Sequence, residues 1–195
     1  MTTLRERMLI RRLQQRDERA FAEVMRLYQH KVYNVVFRMV GNREEAEDVA
    51  QEVFVTVFKH VDTFRGDAKF STWLYRIATN CWLAHVRKRH EEPLSDHDAE
   101  RDGDDGDDPQ LYGSGSGGGD HAPGATMKID LERAMARLSE AERAAIVQCY
   151  HNDLSHEEAA YVLGWPVGTV KTHILRGKRK LKAALAAWAP SEAAR

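Results

Sequence analysis

The sequence predicts an all-α protein of two small helical domains joined by a flexible, acidic linker rich in Gly and Ser. Apolar residues recur at steps of three and four in both halves of the chain, which is the helical period. No segment of convincing length shows the two-residue alternation of a strand. Residues 91–126 interrupt the helical pattern with Asp, Gly, Ser and Pro. We therefore expect domains at residues 1–90 and 127–195, with the linker between them.

Three helices are predicted in the N-terminal domain. The first carries an apolar stripe over residues 21–39 and ends before Gly41, because glycine commonly terminates a helix. The second stripe covers residues 46–61, and the few periodic apolar positions at 62–71 predict a loop. The third helix is expected at residues 72–89. Its inward face should carry Trp73, Ile77, Cys81 and Val86.

The C-terminal domain should contain a helix at residues 129–138, followed by two helices whose starts are marked in the sequence. Ser139 and Ser155 each precede a Glu by three residues, which is the capping-box pattern. The helix that begins at Ser155 ends at Leu163, and the last helix begins near Val167 after a turn that contains Gly and Pro. Two helices joined by a short turn, with the second one basic, are typical of a DNA-binding helix-turn-helix.

The charge is distributed unevenly along the chain. Residues 91–126 contain 11 acidic residues and one basic residue, whereas the rest of the chain has 28 basic and 19 acidic residues. A net charge of −1 therefore combines a linker of −10 with domains that total +9. The linker composition cannot bury enough apolar surface to offset its ordering entropy, which predicts flexibility. Basic domains indicate a polyanionic partner, although a solvated charged face is the common explanation for any single cluster.

The last helix presents a basic face without acidic residues. Residues 168–182 include no Asp or Glu, and Val170, Ile174 and Leu181 form the expected buried side. Lys and Arg that neutralise phosphates release counterions and thereby favour DNA binding. Early exposed positions of such a helix reach base edges in the major groove, where Arg or Lys pairs with guanine and Thr meets base edges or the thymine methyl. The residues expected to contact DNA are Thr169, Lys171, Thr172, His173, Arg176 and Lys178.

Several classes of protein do not fit the composition. The sequence has no run of about 18 apolar residues that would span a bilayer, and its charged N-terminus lacks the apolar core of a secretory signal. Cys81 and Cys149 are far apart and show no CxxC spacing, which argues against a disulfide framework or a zinc site. No nucleophile–base constellation or Gly-rich phosphate loop occurs. We therefore expect a cytoplasmic protein that is not an enzyme, uses no cofactor or metal and does not insert into a membrane.

Short motifs in both halves of the chain resemble a known family. VGTVKTH at 167–173 is similar to the C-terminal domain of sigma factors and also to the LuxR-type output domain of transcription regulators. Three further motifs resemble region 2 of the extracytoplasmic-function (group 4, sigma-E-like) RNA polymerase sigma factors: DVAQEVF at 48–54, FRGD at 64–67 and FSTWLYRIATN at 70–80. Their order and spacing extend the resemblance over residues 15–90 and 128–187.

The resemblance implies a region 2-like helical bundle and a region 4-like helix-turn-helix that act together as an alternative sigma factor. Such a protein binds core RNA polymerase and directs promoter-specific initiation, because region 2 melts the −10 element and region 4 reads the −35 element. The resemblance also implies an anti-sigma protein that covers the polymerase-binding surfaces. The alternative is a LuxR-type regulator that binds DNA without entering polymerase. It would require an α/β receiver half with an acidic pocket, and residues 1–90 show neither.

The resemblance assigns the contact with core polymerase to the second helix. In the family, a helix with an Asp-Gln-Glu pattern docks on a coiled coil of the polymerase β′ subunit. This pattern corresponds to Asp48, Gln51 and Glu52, with Phe54 nearby. The first three lie at steps of three and four and therefore share one exposed face, although a solvated acidic face accounts for the local sequence equally well.

The resemblance assigns the −10 element to the segment from Phe64 through Asn80 and to the basic residues that follow it. Extracting a base from the DNA stack requires aromatic surfaces and hydrogen-bond donors to offset the cost of unstacking. Some aromatic residues in this segment must instead form the core, with Trp73 the first candidate. The residues expected to contact −10 DNA are Phe64, Arg65, Lys69, Phe70, Tyr75, Arg76, Asn80 and Arg87.

Overall fold

The computed structural model describes residues 4–91 and 131–186, so the predicted linker lies outside the described residues except for its first residue. The described residues form helices and turns without a strand, which confirms the all-α prediction. The N-terminal domain comprises α1 (Leu4–Gln14), α2 (Glu18–Val40), α3 (Arg43–His60), a short 3-10 helix (Val61–Thr63) and α4 (Phe70–Glu91). The C-terminal domain comprises α5 (131–136), α6 (Glu140–Ile146), a π-helical turn (Val147–His151), α7 (His156–Leu163) and α8 (Val167–Ala184).

The junction between α2 and α3 forms where the sequence predicts a break. Gly41 adopts a left-handed φ of 82°, and its N–H donates to the carbonyl oxygen of Phe37. Asn42 then caps α3, because its side-chain oxygen accepts hydrogen bonds from the backbone N–H groups of Glu44 and Glu45. A glycine that ends one helix and an asparagine that starts the next together reverse the chain and allow α2 and α3 to pack side by side.

Helix α4 begins two residues earlier than the sequence pattern predicts, so the assignment of Phe70 and Ser71 to a loop was wrong. Phe70 is fully buried, with ring centroids 5.5 Å from Tyr28 and 5.4 Å from Phe64. Tertiary contacts of Phe70 therefore fix the first turn of α4, and the local sequence pattern does not reveal these contacts. The inward face is as predicted, because the following residues are all buried: Trp73, Ile77, Cys81 and Val86.

Helix α1 was not predicted from the sequence. It is highly charged along its length, yet one side is buried against the rest of the domain through Leu9, Ile10 and Leu13. The Tyr28 hydroxyl of α2 donates to a carboxylate oxygen of Glu6 at 2.7 Å. Burial of the ring and this acidic neighbour both raise the pKa of Tyr28 above its usual value, so the phenol keeps its proton.

Both predicted capping boxes are present in the C-terminal domain. Ser139 accepts from the N–H of Glu142, whose carboxylate in turn accepts from the N–H of Ser139. Ser155 and Glu158 make the same reciprocal pair at the start of α7. Because these hydrogen bonds join residues only three apart, both helix starts could be read from the sequence.

The two domains pack against each other through buried polar contacts. Gln148 is fully buried, and its amide nitrogen donates to the hydroxyl oxygen of Thr79 on α4 at 3.1 Å. The Arg143 guanidinium donates to the carbonyl oxygen of Met39 at the end of α2, at 3.2 Å. Apolar residues of both domains belong to one contiguous buried cluster, so the interface is part of the core and not a peripheral contact.

Candidate nucleic-acid interface

The turn between α7 and α8 sets the orientation of the basic helix. Gly164 ends α7 with a left-handed φ of 69°, and its N–H donates to the carbonyl oxygen of Ala160. The N–H of Trp165 donates to the same oxygen at 3.1 Å. Pro166 then precedes α8, where a missing N–H costs nothing because the first helical N–H groups have no intrahelical partner. The result is the helix-turn-helix that the sequence predicts.

One narrow side of α8 is buried. Val170 and Ile174 face the core, and Gly177 lies so close to α6 that an added Cβ would stand 3.1 Å from Cγ1 of Ile146. Of the predicted −35 contacts, four are exposed on the remaining surface: Lys171, Thr172, Arg176 and Lys178. Lys171, Thr172 and Arg176 are separated by one, four and five positions, so they share one outward side of the helix.

Two predicted −35 contacts are half-buried. The His173 ring packs on Trp165 of the turn, with centroids 5.3 Å apart. Thr169, in the first turn of α8, is also half-buried. The Thr172 hydroxyl is exposed but donates to the carbonyl oxygen of Gly168 at 2.9 Å, so its methyl group and its acceptor lone pairs remain for a partner. Lys178 extends over the ring of Tyr150, with its nitrogen 5.2 Å from the centroid.

The structure adds Leu175 to the outward side of α8. The Leu175 side chain is 61% exposed, although leucine normally prefers the interior. It follows Lys171 by four positions and Thr172 by three, so all three residues share a side. A leucine that falls outside the apolar stripe of a basic helix is itself a sequence signal, so Leu175 could have been predicted from the sequence.

On α3, the predicted polymerase contacts divide between the surface and the core. Asp48, Gln51 and Glu52 are exposed on one side of the helix, as expected. Phe54 is 5% exposed and belongs to the core, so it packs beneath the exposed side of α3. Val55 is 50% exposed and follows Gln51 by four positions and Glu52 by three. The surface is therefore acidic and polar with one apolar residue at its end.

The aromatic residues of the predicted −10 segment form a cluster. Phe64 is half-buried, and its ring lies 5.4 Å from Phe70 and 5.5 Å from Trp73 in edge-on contacts. Phe70 and Tyr75 are buried, with 0% and 8% exposure. Burial also raises the pKa of the Tyr75 phenol. Phe64 is therefore the aromatic residue of this cluster with a partly free ring, and the exposed polar candidates are Arg65, Lys69, Arg76, Asn80 and Arg87.

Asn80 lies in a cleft of about 420 Å³ on the side of α4, which we call the Asn80 cleft. Its lining combines two aromatic rings with hydrogen-bonding groups and one guanidinium. The lining residues are Thr56, His60, Thr63, Trp73, Arg76, Ile77, Asn80 and Tyr161. All except Tyr161 belong to the N-terminal domain, and Tyr161 lies on α7 of the C-terminal domain. Tyr161 was not predicted from the sequence, since nothing local indicates that α7 approaches α4.

Phe64 and Arg65 border a second cleft, of about 490 Å³, between the loop and α1. Gln14 holds this loop, because its side-chain amide donates to the carbonyl oxygens of Val61 and Phe64 at 3.3 and 3.0 Å. Gly66 turns the chain with a φ of 85°. Arg7 and Arg11 of α1 also line the cleft. The two clefts show that the predicted −10 residues do not converge on a single pocket.

These observations define a helical protein with a basic helix-turn-helix and a second, mixed aromatic and polar surface suited to nucleic acid. Family models match both halves: Sigma-70 region 2 matches residues 24–92, and Sigma-70, region 4 matches residues 128–181. The region 2 match disfavours the LuxR-type alternative, whose N-terminal half would be an α/β receiver.

Curated relatives agree over nearly the whole chain. The ECF RNA polymerase sigma factor SigW of Bacillus subtilis is 37% identical over 175 residues, which cover 89% of this chain and 92% of the relative. The RNA polymerase sigma-H factor of Pseudomonas aeruginosa is 34% identical, with coverage of 95% and 96%. The ECF RNA polymerase sigma-E factor of Escherichia coli K12 is 33% identical, with coverage of 91% and 93%. The chain therefore belongs to the ECF family of RNA polymerase sigma factors, and it directs transcription as an alternative sigma factor.

Solved structures share the fold. The sigma factor RpoE of Bartonella quintana, solved with the anti-sigma factor NepR, aligns with a TM-score of 0.65 and 24% identity, covering 85% of this chain and 96% of that one. CnrH, solved with the cytosolic domain of CnrY, aligns with a TM-score of 0.63 and 22% identity, covering 93% and 97%. Among residues 4–91 and 131–186, none of the helices has the length and apolar character needed to cross a membrane.

Proposed function

We propose that the two DNA elements of a promoter are divided between the domains, with residues 1–90 engaging the −10 element and residues 127–195 reading the −35 element. The observation that carries this division is the pair of separate surfaces, a basic outward side on α8 and a mixed polar and aromatic cleft on α4. Residues 91–126 serve as the tether.

The −35 element is read by the outward side of α8. Lys171 and Arg176 are exposed towards the two edges of this outward side, so each can pair with guanine in the major groove. Leu175 and the methyl group of Thr172 supply apolar surface for thymine methyl groups. Lys178 contacts the DNA phosphates, while His173 and Thr169 are half-buried and support the first turns of α8. Of the residues predicted to contact −35 DNA, the exposed ones are therefore assigned to DNA and the half-buried ones to support of the helix.

The −10 element is engaged by the exposed donors of α4 and by the loop before it. Asn80 and Arg76 face the Asn80 cleft, where a base would meet an amide, a guanidinium and the edge of Trp73. Phe64 and Arg65 bind a second unstacked base at the neighbouring cleft. Arg87 and Lys69 contact phosphates. Phe70 and Tyr75 are buried and hold the exposed residues in place.

Core polymerase is held by the acidic side of α3, and the partner surface is the coiled coil of the β′ subunit. Replacing Asp48 and Glu52 with Lys reverses two exposed charges without touching the core. We expect the double variant to lose holoenzyme formation in a pull-down with core polymerase, because like charges placed across an interface repel. Glu18→Lys, an exposed charge reversal on α2, is the control, because Glu18 does not lie on this side of α3. Holoenzyme formation by the double variant at wild-type level would refute this interface.

We also infer that the protein acts in the cytoplasm by binding and not by catalysis, and that an anti-sigma protein inhibits it. Burial raises the pKa of the Cys81 and Cys149 thiols, which keeps both protonated at neutral pH. The anti-sigma proposal is supported by the Bartonella complex, in which a sigma factor of the same fold is bound to an anti-sigma factor. The acidic side of α3 is the expected surface for it.

The experiment that tests the function is transcription in vitro from a genomic fragment library, with bacterial core polymerase in the presence and absence of the full chain. New, discrete start sites that share two upstream motifs are the expected result, and they reveal the promoter sequence. No new start sites, together with specific binding of the protein to duplex DNA, would instead identify a helix-turn-helix regulator that acts outside polymerase.

A further inference from the structure

Helix α3 ends beside the turn between α1 and α2, and side chains of that turn bind its carbonyl groups. The last carbonyl groups of a helix have no intrahelical partner, so they need donors from elsewhere. The Arg16 guanidinium donates to the carbonyl oxygens of Phe58 and Lys59. It also pairs with the carboxylate of Asp62. Because the helix dipole favours a cation at this position, Arg16 fixes the end of α3.

Gln14 extends this support from the end of α3 to the loop that carries Phe64. Its side-chain nitrogen donates to the carbonyl oxygens of Val61 at 3.3 Å and Phe64 at 3.0 Å. The N–H of Phe64 donates to the same Val61 oxygen at 3.1 Å. The backbone of Phe64 is therefore held on both sides of its Cα, and rotation of this backbone would break at least one of these hydrogen bonds.

Beyond Phe64, the loop has little support of its own. Arg65, Gly66 and Asp67 are exposed, and Gly66 has a left-handed φ of 85°. A Cβ added at Gly66 would have no atom within 4 Å, so no neighbour confines the loop at this point. The next buried residue is Phe70, at the start of α4. The place of Phe64 therefore depends on the contacts made by Phe64 itself.

The ring contacts of Phe64 do not fix its place as closely as its backbone hydrogen bonds do. Its ring meets Phe70 and Trp73 edge-on, with centroids 5.4 and 5.5 Å away. Aromatic pairs attract each other over centroid distances of about 4.5–7 Å, so these contacts allow the ring to shift. Recognition of a base requires its contacts to be held within about 0.5 Å. The backbone anchor is therefore the contact that supplies this precision.

We propose that Gln14 is a positioning residue for −10 recognition, which places the Phe64 ring beside the cleft through two hydrogen bonds to the loop backbone. The proposal rests on the −10 role of Phe64. Gln14 also lines that cleft, but its amide nitrogen has two N–H groups and donates to two carbonyl oxygens. It therefore has no donor left for a base, and its loss should act on recognition through Phe64.

The test measures the preference of holoenzyme for each base of the −10 element. A fluorescent non-template strand carrying the motif found by the transcription experiment is compared with strands changed at one position each, by anisotropy. Gln14→Met removes the amide donors from a side chain of similar length, and Gln14→Lys restores N–H donors at similar reach. Gln15→Met is the matched control, because Gln15 is the exposed residue that follows α1.

We expect Gln14→Met to lower the preference for the correct base about fivefold at one position, the same position that Phe64→Ala affects. Preference at the other positions should stay within about twofold of wild type, as should every position for Gln14→Lys and Gln15→Met. Preference is a ratio between strands, so the added charge of Gln14→Lys cancels from it. A variant that merely unfolds in part binds every strand less by the same factor, which leaves the preference unchanged.

Two results overturn the proposal directly. One is a preference that Gln14→Met leaves unchanged at every position or lowers equally at all of them. The other is a Gln14→Lys variant as poor as Gln14→Met, because the amide oxygen, which lysine lacks, would then contact the base itself.

Phe64→Ala separates failure of the Gln14 anchor from failure of the −10 site. If Phe64→Ala lowers the preference at one position and Gln14→Met does not, the cleft stands and the positioning role is wrong. If Phe64→Ala changes no position, the −10 role of Phe64 is wrong and the proposal fails with it. Gln14→Met should add less than about twofold to the loss caused by Phe64→Ala, because both act through one ring. A further loss of about fivefold in the double variant would show that Gln14 acts independently of Phe64 and would overturn the proposal.

Discussion

Helices α4 and α8 are both proposed to contact DNA, but they differ in how many of their sides are packed. Helix α4 lies against α2, α3 and α7, and most of its residues from Phe70 to Trp82 are buried. Helix α8 lies against α6 and α7 and buries only Val170, Ile174 and Gly177. The DNA surface of α8 is therefore everything outside one stripe, whereas that of α4 is restricted to gaps between its neighbours.

This difference explains why burial limits the two predicted sets of DNA contacts in different ways. On α8, Thr169 and His173 are half-buried, and the other predicted contacts remain exposed on the outward side. In the −10 segment, burial reassigned Phe70 and Tyr75 to the core, while Arg76 and Asn80 remained in a cleft. A helix packed on three sides supplies rigid support for a few contacts, and a helix packed on one side supplies a broad surface.

The largest effect should come from the buried side of α4. Leu74 is fully buried, so Leu74→Ala should lower the free energy of unfolding by about 2–5 kcal/mol through lost burial and a residual cavity. Leu175→Ala on α8 is the matched control, because this leucine is 61% exposed and should change stability by less than about 0.5 kcal/mol. Urea unfolding followed by circular dichroism measures both. Equal losses would show that α8 is packed more extensively than the structure indicates.

A smaller effect, on DNA binding and not on stability, should follow from the outward side of α8. Arg176→Ala should weaken binding of a duplex −35 element by about 1–3 kcal/mol, because an exposed Arg on this side can pair with guanine. Lys182→Ala, an exposed cation near the end of the same helix, is the control and should lose less. Competition between specific and scrambled duplexes makes the measurement. Equal losses on both duplexes would leave Arg176 with a phosphate contact only.

Stability in acid should depend on one carboxylate that joins α6 to α8. Glu142 is 4% exposed and pairs with Lys180 at 3.0 Å. Burial opposes its ionisation, but hydrogen bonds from Ser139 and the contact with Lys180 together lower its pKa below 4.5. A lowered pKa contributes stability that is complete above pH 4.5 and is lost as the pH falls through the folded value.

Glu142→Gln keeps the capping box but removes the charge, since Gln can replace Glu at the N3 position of a capping box. We expect a loss of about 1–2 kcal/mol at pH 7 and a shallower decline of stability below pH 4.5 than in wild type. Glu158→Gln makes the same change in the other capping box at a less buried side chain, and should have a smaller effect. Urea unfolding between pH 3 and pH 7 tests the prediction, and parallel pH profiles for wild type and Glu142→Gln would contradict it.

The smallest effect compares two glycines within α8. At Gly168 an added Cβ would have no atom within 4 Å, so Gly168→Ala should stabilise the helix by about 0.4–1 kcal/mol. At Gly177 the same methyl group would stand 3.1 Å from Ile146, so Gly177→Ala should gain less or lose stability. Thermal unfolding of the two variants measures the difference. Equal gains would mean that Ile146 moves aside without cost.

Much of the fold could be predicted because its signals are local. The capping boxes at Ser139 and Ser155 join residues three apart, and Gly41 and Gly164 end helices through their own backbone conformation. The start of α4 and the whole of α1 could not be predicted in this way. Phe70 is helical because Tyr28 and Phe64 pack around it, and α1 is a charged segment whose narrow apolar side is stabilised only by the helices beneath it.

The sequence alone determined the helical class, the helix-turn-helix and the exposed cations of α8, since all three depend on periodicity and on hydrogen bonds between near neighbours. The tertiary structure decided which aromatic residues remain available for a base and placed Tyr161 beside Arg76. It also paired Gln148 with Thr79 in the interior. The Tyr161–Arg76 and Gln148–Thr79 contacts join residues from different domains, and no local pattern specifies them, because they arise only when the C-terminal domain packs on α4.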